Sequence, residues 1–399
     1  MDSLSVAIFG NTNNYPLLLA EGLRSLGHNV RLVINRKELL HRPEARYPDW
    51  SKAYPDWIFD CSNITDEDIA FETPVIDQAI HHLTHKIDLA ILNDVGPALA
   101  GYLQSPHVAV LTGSDLAYYA NFDSLQMRTS TWDPNFKRSV QGRRFLRRMV
   151  DFIARQRDGI LGAQVVCYGH RGLVPEGDQL LDAIGVMNEQ RMMLYFSNVH
   201  GLDARPPTGR EKLGILCGSR IVYRPECNPA LSAMDFKGTD VLLRGFAEYC
   251  QRGGQGELRL PQKGQDLDAA RELINELGIA DRIAWLSEMP LAEFYEEMAK
   301  ADLICDQFGT SFPGMVATDA YALGRPVMAN LRNEVFSRAF SKPLPGFDVR
   351  TSSEIADCLL QVENDRSLLE QMGFESRVYA EAYLSPESMA EQLLNKRVF

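Results

Sequence analysis

The stretch Ala301–Asn330, ADLICDQFGTSFPGMVATDAYALGRPVMAN, decides how the rest of the chain is read. Leu303 to Asp306 is a short apolar run closing on the polar pair Asp306-Gln307, the pattern of a buried strand, and Gly309, Pro313 and Gly314 then break any periodicity. Met315 to Leu323 carries apolar residues at helical spacing, Gly324 is placed to end a helix, and Arg325-Pro326 leads into a second apolar strand, Val327 to Leu331. The unit is strand, glycine loop, helix, strand. It offers backbone amides at a helix N-terminus, which suits a phosphate, and a carboxylate at Asp319 able to accept hydrogen bonds from a ribose. An acid early in a helix is also what the helix dipole favours without any ligand.

Outward from this unit the same alternation continues. Leu213 to Cys217 reads as a strand followed by Gly218-Ser219-Arg220. Phe236-Lys237-Gly238-Thr239-Asp240 opens a helix over Val241 to Cys250, and Leu258 to Leu260 is a strand with Lys263-Gly264 beyond it. Leu267 to Leu277 is a helix, Ile283 to Leu286 a strand, and Leu291 to Ala299 a helix that feeds the central unit. Lys263 reads either as a third cation beside Arg220 and Lys237 or as an ordinary loop residue. After Ser353 a helical tail runs to the end, broken at Ser385-Pro386.

The first half repeats the logic. Val6 to Gly10 is a compact apolar strand. A polar loop over Asn11 to Tyr15, a helix through Leu17, Leu18, Leu19, Leu23 and Leu26, and a strand over Val30 to Ile34 follow it. Two strands in register with one helix between them predict a crossover unit of a parallel sheet. Leu89 to Leu92 and Val108 to Leu111 are further strands, ending in Asn93-Asp94 and Thr112-Gly113-Ser114-Asp115, and Ile160 to Tyr168 reads as another, ending at Gly169-His170-Arg171. Ligands gather beyond the carboxyl ends of parallel strands, so these polar clusters point to one crevice. Asp115 is the preferred acid of this side, as acceptor ligand or weak base, with a helix cap as its competing reading. Arg36 to Trp57 reads as a long loop whose Tyr47, Trp50, Tyr54 and Trp57 either line an acceptor site or pin the loop to the surface. Tyr195 to Gly209 and its Pro206-Pro207 mark a domain boundary.

Composition narrows the function. The 399 residues suffice for two domains, and a formal charge of -12 argues against a general nucleic-acid binder. Seven cysteines without a C-x-x-C pair suggest reduced thiols, and the start of the chain shows no signal-peptide pattern, so a cytoplasmic location is expected. Lys137 to Asp158 is the charge anomaly, with Lys137, Arg138, Arg143, Arg144, Arg147, Arg148, Arg155 and Arg157 against only Asp151 and Asp158. Phe145, Leu146, Met149, Phe152 and Ile153 repeat at helical spacing, so one basic amphipathic helix is predicted. It either lies on an anionic bilayer at the inner face of the membrane or docks with a solvated basic face. Asp66-Glu67-Asp68 and Asp266-Leu267-Asp268 match a metal-binding D-x-D spacing but sit at probable helix starts, and His81, His82 and His85 lack an accompanying ligand set. No metal is expected.

The pattern from Gly314 through Val327, G-x-x-x-x-(acid)-A-x-A-x-G-x-P-V, resembles the donor-binding signature of the retaining GT-B glycosyltransferases of family 4. In that family the signature carries two glutamates, one for the sugar and one for the ribose. By register Asp319 takes the second place and Ser311 the first, and Asp306-Gln307 resembles a divergent branch that lacks the first acid. The G-x-x…L-A-x-x-L-x-x-x-G-H-x-V pattern from Gly10 is similar to the N-terminal signature, with Gly10, Asn11, Asn13 and Asn14 in the first loop.

The resemblance implies an α/β protein of the GT-B fold. Two Rossmann-like doubly wound domains would face each other across a cleft, with C-terminal helices crossing back to the first domain. The implied boundaries are an acceptor-side domain over 1–198, a linker over 199–212, a nucleotide-sugar domain over 213–375 and crossing helices over 376–399. It implies transfer of a sugar, with retention and without a metal, from a nucleotide-diphosphate donor to a hydroxyl-bearing glycan or lipid-linked acceptor. A UDP-sugar is favoured over a GDP-sugar as co-substrate. Arg220 and Lys237 would serve the diphosphate, with Arg224 a rival for Arg220, and Lys237 and Arg220 would count with Asp115 as the catalytic set. Gly10, Asn13, Lys263, Ser311, Gly314, Met315 and Asp319 complete the donor side, and Asn14, Asp94 and His170 the acceptor side. A nucleotide-sugar epimerase of the same fold and a two-domain small-ligand-binding protein are the alternatives.

Overall fold

The computed structural model describes residues 3–130, 132–207, 211–228, 231–309, 312–340 and 342–396. The chain divides into two compact units. The first comprises Met1–His170, Pro175–Leu194 and Pro386–Phe399, and the second Arg171–Val174 and Tyr195–Ser385.

The first unit is built on a parallel sheet of β1 (Ser5–Phe9), β2 (Asn29–Ile34), β3 (Ile58–Asp60), β4 (Leu89–Asn93), β5 (His107–Val110), β6 (Val165–Cys167) and β7 (Arg191–Met192), in the order β3-β2-β1-β4-β5-β6-β7. Strands such as VAIF and LAIL are continuous apolar runs because both faces of a parallel sheet are covered. Val6, Ala7, Ile8 and Phe9 are accordingly fully buried. The second unit carries β8 (Gly214–Cys217), β9 (Glu257–Pro261), β10 (Ile283–Leu286), β11 (Leu303–Cys305), β12 (Val327–Ala329) and β13 (Phe347–Asp348), in the order β10-β9-β8-β11-β12-β13. Both sheets therefore share one doubly wound strand order, and each reverses direction once, between β1 and β4 and between β8 and β11.

The end of the chain returns to the first unit, where the helix Pro386–Asn395 packs on the helix Tyr15–Ser25. Residues 195–212 and 376–385, read from the sequence as domain end, linker and crossing helix, group with the second unit. The cause is hydrogen bonding. Ser197 Oγ donates to Thr318 O at 2.6 Å, Tyr195 Oη to Pro313 O at 2.9 Å, and Arg377 Nη1 and Nη2 to Leu202 O and Val199 O at 2.7 and 3.0 Å.

Two sequence expectations are corrected here. The basic segment is two helices, Pro134–Arg138 and Val140–Leu161, separated at Ser139, whose hydroxyl caps the second by accepting from Gly142 N at 2.9 Å. That helix continues through Ile160 and Leu161, which were read as the start of a strand. Ile160 lies on the same buried stripe as Met149, Phe152 and Ile153, so the helical period outlasts the charge pattern and the strand begins only at Val165. Not all of the arginines are surface charge. Arg148 and Arg155 donate to the carbonyls of Phe71, Ile69 and Ala70 at the end of the helix Asp66–Phe71, and Arg157 to those of Ala120 and Ala183. Lys137, Arg138, Arg143, Arg144 and Arg147 are exposed.

The segment from Arg36 to Trp57 forms short turns held by its own side chains. Tyr47 packs on Trp50 at 4.4 Å with the rings tilted by 33°, Trp50 meets Trp57 edge-on at 6.2 Å, and Arg42 bonds Glu44, Asp60 and the Tyr54 hydroxyl.

Candidate functional site

In the second sheet the reversal between β8 and β11 places the ligand-binding edge at the loops leaving β8, β9 and β11. These loops are tied together by their backbones. Ile221 N donates to Lys263 O at 2.7 Å, Lys237 N to Val222 O at 2.7 Å and Phe308 N to Lys237 O at 2.8 Å. Gly238 has φ +66 and caps the helix Thr239–Gln251, and a Cβ on it would stand 2.7 Å from Gly309 N. Lys237-Gly238 and Phe308-Gly309 thus run back to back, which glycine alone permits.

Asp306 is the centre of this knot. It is 3% exposed, its Oδ1 accepts from Ser219 Oγ at 2.6 Å, and its Oδ2 accepts from Gly314 N at 2.5 Å and Ala317 N at 3.3 Å. The chain's own carboxylate therefore caps the helix Met315–Ala322, whose N-terminus was expected to face a phosphate. Lys237 lies in the field of Asp306 and donates through Nζ to Met234 O at 2.8 Å. Burial lowers the Lys237 pKa and raises that of Asp306, and their attraction opposes both shifts.

The other candidate cations are paired as well. Arg220 bonds Asp235, and Lys263 bonds Glu288. Arg224 donates through Nε to Asp266 Oδ1 at 3.1 Å. Asp266 is 1% exposed and also accepts from the amides of Tyr223 and Arg224 at 2.7 and 2.9 Å, so Arg224 belongs to a loop staple and Asp266 is part of no metal site. Arg220, with Asp235, lies in the field felt by Lys237, whereas Arg224 is tied to Asp266. Asp319 is buried within the helix Met315–Ala322 and accepts from Tyr295 Oη at 3.2 Å. Gly314 and Met315 form the start of that helix, and Ser311 lies outside the described residues.

In the first unit the reversal lies between β1 and β4. Gly10 has φ +89, and a Cβ there would meet Asn93 O at 2.6 Å. Asn13 and Asn14 both adopt left-handed backbone. Asn13 N donates to His41 Nδ1 at 3.0 Å, Asn14 Oδ1 accepts from Asn11 Nδ2 at 2.7 Å, and Asn93 Oδ1 accepts from Thr12 N at 2.9 Å. Asp94 is gripped by Arg36 through two bonds of 2.6 and 2.7 Å and by Asn35 Nδ2 at 2.8 Å. Arg36 reaches on to Asp66 at 3.0 Å and to the Tyr119 hydroxyl at 3.2 Å. Burial works to discharge this guanidinium, but Asp94 and Asp66 hold its pKa raised.

Asp115 is fully buried and accepts from the amides of Thr112, Gly113 and Leu116, so it staples its own turn rather than facing a substrate. Burial pushes its pKa up to about 6 against those amides. His170 follows Tyr168 beyond β6 and is half-buried. His81 stacks on His85 at 5.2 Å, and among the described residues no cluster of three or more His, Cys, Asp and Glu could hold a metal.

Solved structures match the chain over nearly its whole length. Anabaena HepE in complex with UDP-glucose aligns with a TM-score of 0.62 at 14% identity, covering 98% of each chain. Sucrose-phosphate synthase from Thermosynechococcus elongatus aligns at 0.58 and 13%, again over 98% of each. The chain has the GT-B fold. The sequence relatives of this GT-B chain are glycosyltransferases. D-inositol 3-phosphate glycosyltransferase of Nocardia farcinica (strain IFM 10152) is 28% identical over 236 residues, 54% of this chain and 51% of the relative. The match thus spans about half the length of that relative. No family model matches the chain. Kinship with GT-B glycosyltransferases, expected from Gly314 through Val327, is borne out.

Within the GT-B frame, the sequence singled out Arg220, Lys237, Gly314 and Asp319 as candidates but gave no sign of two partners. Asp235 lies fifteen positions from Arg220 with no motif linking them, and Arg36 stood at the head of a segment read as loop. Asp306 was visible as a polar strand end, but its role as an internal helix cap was not. Among the described residues no helix is long and apolar enough to cross a membrane, and the seven cysteines are unpaired.

Proposed function

We propose that this protein transfers a sugar from a nucleoside-diphosphate donor, a UDP-sugar in preference to a GDP-sugar, to a hydroxyl acceptor with retention of configuration and without a metal. The observation that carries the reading is Lys237, a half-buried ammonium in the field of Asp306, on a loop whose Lys237 O accepts from Phe308 N at 2.8 Å at the strand-order reversal of the second sheet. As the bond between sugar and phosphate breaks, negative charge grows on the leaving diphosphate. Preorganised cations in a site of low dielectric stabilise it without rearranging at the moment of reaction. Arg220 supplies a second such charge, and Asp319 the ribose contact. The resemblance to the retaining family implies front-face displacement, in which the leaving phosphate takes the acceptor's proton, and the engagement of both Asp115 oxygens in their own turn is in keeping with it.

The acceptor side is assigned to the first unit, to Asn14, Asp94 and His170. The exposed Lys137, Arg138, Arg143, Arg144 and Arg147 favour a peripheral position on an anionic membrane, in keeping with a glycolipid or cell-surface polysaccharide acceptor. Loss of co-sedimentation with anionic vesicles on reversing these charges to Glu is the check on that part.

The donor reading is tested by isothermal titration of UDP, GDP, ADP and dTDP in EDTA with wild type, Lys237→Gln and Asp319→Asn. One nucleotide binding the wild type, and each variant at least about tenfold more weakly, is the expected result. Absence of binding by all four sinks it.

A further inference from the structure

Arg220, Lys237, Asp235 and Asp306 form one cluster beyond the carboxyl ends of β8 and β11, two cations and two carboxylates. A diphosphate is a polyanion, and a formally balanced cluster offers it little net attraction unless one of the acids gives way.

The two acids are held very differently. Asp306 is buried and fixed by Ser219, Gly314 and Ala317. The Asp235 side chain is 17% exposed and that of its partner Arg220 is 41% exposed, so this ion pair opens to water. An ion pair near solvent is weak, and a guanidinium donates to carboxylate or phosphate oxygens through the same fork, so exchanging one for the other costs little.

We propose that Asp235 is a built-in competitor of the donor diphosphate. It engages Arg220 when no nucleotide is bound and yields it to the incoming phosphate, and it thereby sets how tightly the nucleoside diphosphate is held. The proposal rests on the nucleotide-sugar reading of the second unit. Its consequence has a definite sign: removing the charge of Asp235 strengthens nucleotide binding, whereas removing a residue that merely orients Arg220 weakens it.

The test is calorimetric titration of UDP and of uridine into the full chain in EDTA, with wild type, Asp235→Asn, Asp235→Ser and Asp235→Glu. Asn and Ser retain an oxygen for the turn bond that Asp235 accepts from Ser232 N at 3.2 Å, so two neutral variants guard against a folding failure in either. Expected are UDP dissociation constants at least about threefold lower in the two neutral variants, near wild type in the Glu variant, and unchanged for uridine. Wild type that binds UDP, with neutral variants that bind it equally or more weakly, overturns the proposal while leaving the nucleotide-sugar reading intact. An equal gain for uridine overturns it too, because the effect is then not one of phosphate charge. If neither wild type nor any variant binds UDP, the UDP-sugar reading falls and this inference with it.

Discussion

Asp306 Oδ2 accepts a hydrogen bond from Gly314 N at 2.5 Å, so the residue directly after β11 caps the helix that follows it. The same carboxylate holds Ser219 Oγ, and the half-buried Lys237 lies in its field. Replacing Asp306 by Ala strips the partners from two amides and a hydroxyl and removes one of the two carboxylates whose field Lys237 feels. Leaving these three donors without an acceptor costs about 3 kcal/mol or more. Urea unfolding of Asp306→Ala is expected to show a loss of that size, against about 1 kcal/mol for Ser219→Ala, which removes one hydrogen bond.

Asp115 supplies a pH dependence. Its folded pKa of about 6 lies above that of an exposed aspartate, so between about pH 4 and pH 6 the folded chain binds more protons than the unfolded one. Stability from this group is therefore greatest below about pH 4 and falls as the pH rises to about 6, by about 3 kcal/mol. Denaturant unfolding across that range should reveal the decline, and Asp115→Asn should flatten it. A stability that rises through the same window in wild type, and equally in the variant, would contradict the assignment.

What the sequence made legible follows from where its physics is local. The strand, loop, helix and strand of Ala301–Asn330 could be read because Gly309, Pro313 and Gly314 punctuate two apolar periods, and the structure places β11, the helix Met315–Ala322 and β12 there. The break at Ser139 escaped because charge runs unchanged through Lys137 to Arg148 while the capping signal is a single hydroxyl. Within the site, residue types were legible and pairings were not. Arg220, Arg224 and Lys263 read alike as phosphate cations until Asp235, Asp266 and Glu288 were brought to them by separate loops. An acid at a strand end is likewise the same letter whether it binds a substrate, as expected of Asp115, or staples its own turn, as found.

Arg36 extends the argument to the first unit. Asp94 is 2% exposed, and the two bonds from Arg36 supply most of its compensation. A planar fork makes both contacts at once, while a single ammonium cannot reach the oxygens with the same geometry. Unfolding free energies are therefore expected to fall in the order wild type, Arg36→Lys, Arg36→Gln, with the last about 3–5 kcal/mol below wild type because Asp94 keeps its charge and loses its partner. Tyr119→Phe, which deletes only the hydroxyl that bridges Arg36 at 3.2 Å and Asp66 at 2.6 Å, is expected to cost about 1 kcal/mol. Equal losses for Arg36→Gln and Tyr119→Phe would mean that the hydroxyl network, and not the ion pair with Asp94, holds the carboxyl end of β4.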